Sequence, residues 1–596
     1  MKQLLKTVGT RKFGVLALAV FFLLAGFLAL SVFYAEVIFD EFYYYTVAQR
    51  FFAGDRLLVD EWQVTQLSAL VLLPVYRIFT AITGGTEGLV LFGRLVFLAE
   101  DLALYWFLVF LFRKKTAAAP IAAGLFCADL YAGIVTLNYY NLSMHALAVS
   151  ALLLFLPEKA PSAKRVLSAG FVFGCAVIFE PGFLVAYLFY SLIALACALR
   201  NGKGTASASV PCSPFGGGTW LLFSAGGAAC ALLLMLFLQF TSGFGEIVKA
   251  LPELLSDGEY GIRWYGHENT GEKLAAVGAG FGLPGLIAPF LLLPAALLAG
   301  KIGRKHGKNG PTAAVFLLAL CFLAVSFGVA AIGAEYTVFQ CSEYPLAVFT
   351  LVCFLLCRKK DRRVFALWLT AAVCSAAADF TSSTSLFFAF RLAYFPAVFF
   401  AVRVFRELAA AHTSAGRKNG RLSRSLLSAA TGSLALLTLI GVSIMLFHIT
   451  NYSFASKTGR NGVVAASGPE KGLVTMRSLE QTRSAKRADL DYIGETCGGA
   501  FYVAKRLPDC YLYLNELPMA AYSACYVPED TAVRQARYWQ LHPEKRPEYI
   551  YVPYNEDKTL PEELSPLLAL CEYKSARGKN GYIIKVTEWK SFPAEE

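Results

Sequence analysis

Charge is what this 596-residue sequence has least of: Asp, Glu, Lys and Arg together make up 16% of it, against 57% hydrophobic residues. With a mean hydropathy of +0.53, that shortage excludes an ordinary water-soluble protein. Several catalytic signatures are missing as well. There is no H-E-x-x-H, no C-x-x-C and no P-loop lysine, so zinc hydrolysis and ATP-driven transport have no support. Gly280-Phe281-Gly282-Leu283-Pro284-Gly285 satisfies G-x-G-x-x-G, but it opens an apolar run, follows no strand and contains a proline. It is not a dinucleotide loop. No internal repeat is visible, which counts against a transporter built from inverted halves. The fourteen cysteines form no spaced framework. Ten are scattered through the apolar part, where cysteine packs as a small hydrophobe. Cys497, Cys510, Cys525 and Cys571 lie in a polar tail that admits one or two disulfides, with the pairing left open by spacing.

What the chain does have is long apolar runs. Residues 13–35 carry no charge and follow Lys2, Lys6, Arg11 and Lys12. The run is too long for a signal-peptide core and lacks a clear cleavage site, so it is expected to be an uncleaved span with a cytoplasmic start. Basic residues cluster in alternate short loops (Arg113–Lys115, Glu158–Arg165, Arg200–Gly218, Lys301–Gly310, Arg358–Arg363, Arg403–Arg424). Acidic residues collect in the others: Glu246, Glu253, Asp257, Glu259, Glu268, Glu335, Glu343 and Asp379. The net charge of +12 therefore signals topology and not nucleic-acid binding. This alternation holds if residues 67–83, interrupted by Pro74 and Arg77, form an interfacial or re-entrant helix. The expected fold is an all-α polytopic membrane domain, residues 1–451, with about thirteen transmembrane helices. A small extracytoplasmic α/β domain, residues 452–596, follows it. In that tail 476–496 and 561–570 read as helices, and AFYVAKRL, EYIYVPY and GYIIKV as strands.

Residues 36–66 hold the strongest candidate site. Asp40–Glu41 falls where the first span leaves the bilayer, and Phe42–Phe52 reads as an amphipathic aromatic helix at the interface. Gly54–Asp55 breaks it, and a second acidic pair, Asp60–Glu61, precedes Trp62. A carboxylate at the membrane surface suits an enzyme whose donor is lipid-linked and whose acceptor comes from water. The plainer alternative is that acidic residues at span ends are simply solvated. Arg94, Glu100 and Asp101 lie within the second span, residues 87–112, where ionisable groups need partners. Arg94 either reaches a lipid phosphate or pairs with Glu100 or Asp101; Arg391 has the same two readings, and Asp129 reads as structural. The corner Asn138-Tyr139-Tyr140-Asn141 offers amide and phenol groups for sugar hydroxyls, or is a helix-hairpin turn. Arg263, Trp264, Tyr265 and His267 either cover a site or anchor a loop at the interface.

These features resemble the GT-C class of membrane glycosyltransferases, near the protein mannosyltransferase, aminoarabinose transferase and Rgt-like groups. The resemblance rests on Asp40–Glu41 with Tyr43–Tyr45, the A-x-x-F-x-x-G-D run Ala48–Asp55, Pro74 in the following helix, and Gly85-Thr86-Glu87-Gly88 before Arg94. It implies transfer of a sugar from a polyprenyl-phosphate donor, with inversion, to a cell-envelope glycan, lipid or protein acceptor. Membrane lipids would be the other partners, and nucleic acid would not be one. Asp40 would be the general base with Glu41 as its neighbour. The Lys-Pro or His-Pro-Pro phrase of several relatives is replaced here by Trp62-Gln63-Val64-Thr65-Gln66. Donor-phosphate recognition would therefore fall to Arg94, Arg77 or Arg391. Asp60, Glu61, Tyr44, Asn138, Tyr139 and Asn141 are the acceptor- or sugar-binding candidates. No cofactor is required and no metal ligands are assigned, although a divalent cation could steady the phosphate in place of an arginine. The competing readings are a lipid-linked oligosaccharide flippase or transporter, and a non-catalytic membrane scaffold displaying the tail.

Overall fold

The computed structural model describes residues 2–590 except 36, 38, 131–133, 158–160, 202–215, 257–284, 286, 306–309, 333–342, 382–386, 416–460, 525–530 and 556. The expected last span at 426–448, the 451/452 boundary, the Arg263–His267 loop, nearly all of the Gly280–Gly285 motif and Cys525 therefore lie outside the described residues. The first apolar run forms α1 (Lys2–Tyr34), which packs on α4 (Leu89–Phe112) and α5 (Ala119–Ala128). Among the described residues, six helices are long and apolar enough to cross a membrane: Lys12–Tyr34, Val64–Thr83, Leu89–Phe112, Gly218–Thr241, Ile287–Lys305 and Phe388–Ala410. Shorter apolar helices lie between them, including α5 and α6 (Tyr139–Phe155). Outward-facing Phe22, Leu221, Phe240 and Phe290 are strongly exposed. Large apolar surfaces of this kind belong against lipid.

The segment at 67–83 is built in two pieces, a 3-10 helix Val64–Val71 and α3 (Leu72–Thr83). Pro74 falls in the first turn of α3, where its missing N–H removes no helical hydrogen bond. The sequence pattern pointed to a helix that does not span. By length and composition the combined Val64–Thr83 segment nevertheless qualifies as a candidate span.

The tail contains a four-stranded sheet in the order β3-β4-β6-β5, from Ala500–Val503, Pro547–Pro553, Gly581–Trp589 and Cys571–Arg577 respectively. β3 and β4 run parallel and the other neighbours antiparallel. The three expected strands are present, as is the helix at Arg477–Thr496. The stretch expected as a helix at 561–570 is only a short 3-10 turn, Glu562–Leu564, joined to Ser565–Leu568. β5 escaped the sequence reading because CEYKSAR is an exposed edge strand with little hydrophobic alternation. A small hairpin, β1 (Gly462–Val464) with β2 (Val474–Met476), precedes the sheet. Cys497, Cys510 and Cys571 are free thiols, so these three form no disulfide.

The tail is bonded into the first loop and the start of α4 through its backbone. Trp62 N–H donates to Tyr522 O at 3.0 Å, and Gly88 and Val90 N–H donate to Gly468 O and Pro469 O, both at 3.0 Å.

Candidate active site in the first loop

The helix after the first run, α2 (Phe39–Phe52), begins with Asp40 and Glu41 in its first turn and carries Arg50 in its last. Both placements complement the helix dipole. The sequence suggested a helix lying amphipathically at the membrane surface. In the structure Glu41 through Arg50 are buried without interruption, because the tail covers the face that would have met water. Thr46 Oγ1 donates to Pro508 O at 3.2 Å, and Gln49 Nε2 donates to Tyr511 O at 3.0 Å. On the membrane side the Tyr45 hydroxyl lies 3.4 Å from Thr136 Oγ1, with its ring against Gly93 of α4. A Cβ at position 93 would sit 1.4 Å from the Tyr45 oxygen, so this approach exists only because residue 93 is glycine.

Glu41 and Arg94, which sequence reasoning assigned to different tasks, are partners. Arg94 Nε and Nη2 donate to the two carboxylate oxygens at 2.8 and 2.6 Å. Both side chains are fully buried. Arg94 Nη1 also donates to Val32 O at 2.9 Å and Ala35 O at 3.1 Å, carbonyls at the end of α1 that lack helical partners. One guanidinium thus fastens the end of α1 to the start of α2. Its partner is neither Glu100 nor Asp101, and it is turned toward protein oxygens and not toward a lipid phosphate. Asp40, immediately before Glu41, is half-buried. The guanidinium of Arg506, from the tail, lies over the ring of Phe39, the residue before Asp40 in the chain, at 4.0 Å.

The second acidic pair is held by arginines. Arg50 donates to Asp55 at 2.6 Å, to Glu61 at 2.8 Å, to Asp60 O at 2.5 Å and to Ala521 O at 3.0 Å. Its Nη2 also donates to the Tyr538 hydroxyl at 3.2 Å. Lys545 of the tail pairs with Asp55 as well. Asp60 accepts from the Arg56 backbone N–H at 2.7 Å and from its guanidinium at 3.1 Å. Burial would raise the Asp60 carboxyl, but these Arg56 donations outweigh it and hold the group below the ordinary range. Burial pushes the Glu61 carboxyl up, with Arg50 opposing. Both carboxylates are thus held by arginines of the loop itself, and the Asp60 carbonyl accepts from the Tyr538 hydroxyl of the tail at 3.1 Å.

The remaining candidates are scattered. Asn138 caps α6 by accepting from Asn141 N–H at 2.9 Å, and Asn141 Nδ2 donates to Ile134 O and Thr136 O at 3.1 and 3.0 Å. Asn141 Oδ1 accepts from Arg391 Nη1 at 3.1 Å, and Arg391 Nε donates to Phe126 O at 2.8 Å. All three side chains are buried, as a helix-hairpin corner requires. Tyr139 lies against Tyr140 with ring centroids 3.8 Å apart, and the Tyr44 hydroxyl donates to Thr65 Oγ1 at 3.5 Å. Both tyrosines are buried. Arg77 is exposed on α3 with its guanidinium 5.6 Å from the Phe52 ring. Sequence reasoning missed Arg50, Arg506 and Tyr538. Arg50 had a local signal, a cation inside an aromatic helix flanked by acidic pairs. The two tail residues had none, since their approach depends on tail docking.

The fold and site define a multi-pass helical membrane protein with an α/β tail closed over its first loop. No family model and no curated protein sequence matches the chain. Among solved structures it is similar to that of ArnT from Cupriavidus metallidurans bound to undecaprenyl phosphate. The match covers 96% of this chain and 97% of that one, with a TM-score of 0.43 and 11% sequence identity. A likeness of that degree carries no inference about activity.

Proposed function

We propose that the protein is a membrane glycosyltransferase that moves a sugar from a polyprenyl-phosphate donor to an acceptor on the extracytoplasmic face, with Asp40 as general base. One observation carries this reading. Of the described carboxylates in residues 36–66, Glu41, Asp55, Asp60 and Glu61 are buried in arginine pairs, and Asp40 alone is not buried. A general base must be reachable by the proton it takes and held still while it takes it. The Glu41–Arg94 pair supplies the second condition by locking the corner that Asp40 occupies.

Asp40 would accept the proton of the acceptor hydroxyl as that oxygen attacks the anomeric carbon. The bond from that carbon to the phosphate oxygen breaks on the opposite face, and the polyprenyl phosphate leaves with the electron pair. The departing charge needs a fixed cation. Arg506 beside Phe39 meets that need better than Arg94, Arg77 or Arg391, so the tail contributes to the site and is more than a cover. Arg94 is a positioning residue. The reaction needs no metal in this scheme. In this scheme the N-terminus is cytoplasmic and the tail lies outside, as the distribution of basic residues in the loops suggests, so that the site would meet donors in the outer leaflet.

The test is transfer by the purified full chain in lipid nanodiscs, supplied with polyprenyl-phosphate sugars and assayed for released polyprenyl phosphate. Asp40→Asn should lower turnover by ~10²–10⁴-fold with donor binding retained, and Arg506→Ala should weaken donor use. Near-normal transfer by Asp40→Asn would overturn the assignment of the base.

A further inference from the structure

The first loop does not account for a second polar cluster, deep among the membrane helices. Glu100 and Asp101 lie on α4, Asp101 about 18 Å along the helix from Leu89, near the middle of a bilayer's hydrocarbon core. His145, on α6, reaches between them. Its Nδ1 is 3.1 Å from Glu100 Oε1, and its Nε2 is 3.5 Å from Asp101 Oδ1. One donor atom from each of the three residues lies within 4.8 Å of the others.

We propose that Asp101 and His145 bind a divalent d-block cation of the zinc class, with Glu100 orienting the imidazole. Asp101 is fully buried and His145 nearly so. Among the described residues, neither Asp101 oxygen nor His145 Nε2 has a hydrogen-bond partner. Buried polar atoms are rarely left in that state, and here they face one another. Their separation is too long for a good hydrogen bond. It suits two ligands of one ion: bonds of about 2.0–2.2 Å at a tetrahedral angle hold their ligand atoms roughly 3.4 Å apart. The Nδ1 contact with Glu100 supplies the usual companion of a metal-bound histidine, a carboxylate that fixes its tautomer. Asp101 Oδ1 and His145 Nε2 supply two donor atoms and leave the remaining positions of a tetrahedral ion to other ligands. The Cys127 thiol of α5 is also near Asp101, outside hydrogen-bond geometry.

Charge points the same way. Glu100 and Asp101 are two adjacent acidic side chains in a region where ionisable groups need partners. Arg391 acts on Asp101 from a distance, but its hydrogen bonds go to Phe126 O and Asn141. It also serves Asp129. A dication would neutralise the pair. Sequence reading assigned no metal because the adjacent acidic residues and the histidine are 44 and 45 positions apart and on different helices.

This proposal is independent of the transfer reaction. The test is metal binding by the full chain purified in detergent, stripped with chelator and titrated with Co²⁺ and Zn²⁺. The expected result is one equivalent per chain, read by elemental analysis and by visible absorption of the cobalt form, with Zn²⁺ displacing Co²⁺. Asp101→Asn and His145→Gln should each abolish stoichiometric binding, Glu100→Gln should weaken it by ~10–100-fold, and Asp40→Asn should leave it intact. Absence of stoichiometric binding by the wild-type chain would overturn the proposal and leave a shared proton as what closes the cluster. Binding that persists in both Asp101→Asn and His145→Gln would overturn it too, by placing the ion elsewhere.

Discussion

Arg94 and Glu41 stand 53 positions apart in sequence and form a two-point ion pair with no solvent exposure, at 2.6 and 2.8 Å. With the two α1 carbonyls that Arg94 also holds, that contact ties the end of the first membrane helix to the first turn of α2, where Asp40 lies.

Removing either partner leaves the other charge buried alone. Glu41→Gln and Arg94→Met are each expected to cost about 3–5 kcal/mol in folding stability, read as a lowered unfolding temperature in detergent. The double variant Glu41→Leu/Arg94→Met should recover much of that loss. If Arg94 met a lipid phosphate instead, Arg94→Met would weaken donor binding and leave stability nearly unchanged.

Gly93→Ala places a methyl group 1.4 Å from the Tyr45 oxygen and 2.5 Å from the ring carbon bearing it. Helix α2 must then move, at roughly 1–3 kcal/mol for an overpacked interior. Tyr45→Phe in the same chain should relieve only part of the strain, since the ring remains. Equal stability of Gly93→Ala and wild type would show that α2 does not approach α4 this closely.

Arg50→Met takes one of the two cations from Asp55, leaves Glu61 without its arginine and releases contacts to Ala521 and Tyr538. The tail should loosen as a unit. Limited proteolysis within the tail, C-terminal to β1, should run faster in this variant while the described membrane helices remain protected. An unchanged cleavage rate would mean that backbone contacts such as Gly88–Gly468 suffice to hold the tail.

Asp60 gives a pH dependence with a definite sign. Its folded-state carboxyl is held below the ordinary value of 3.8. Its stabilising contribution is therefore present above about pH 4 and lost as pH falls through the lower folded value. Across pH 3–6 the stability of wild type should fall toward that of Asp60→Asn at the acid end. A constant gap between the two would contradict the Arg56 pairing.

The apolar runs, the Asp40–Glu41 corner and the three tail strands with the strongest patterning were legible because each is a local signal. An uncharged run of bilayer length, an acidic pair at its end and an alternating segment between turns need no knowledge of the rest of the chain. The roles of the polar residues were not legible. Asn138, Asn141, Asp60 and Glu61 carry groups that suit a sugar, and the same groups suit a helix cap or an ion pair. Only their neighbours distinguish the two, and several of those neighbours, such as Arg391 and Tyr538, lie hundreds of positions away.

By itself the sequence determined that this is a helical membrane protein with an appended α/β segment, because hydropathy and strand periodicity act along the chain. The tertiary structure alone decided that α2 is buried under the tail, that Glu41 belongs to Arg94, and that Glu100, Asp101 and His145 meet inside the bundle. Each of those outcomes depends on which buried charge finds which partner. That choice is made by the packing of helices against one another and against the tail, and no local pattern encodes it.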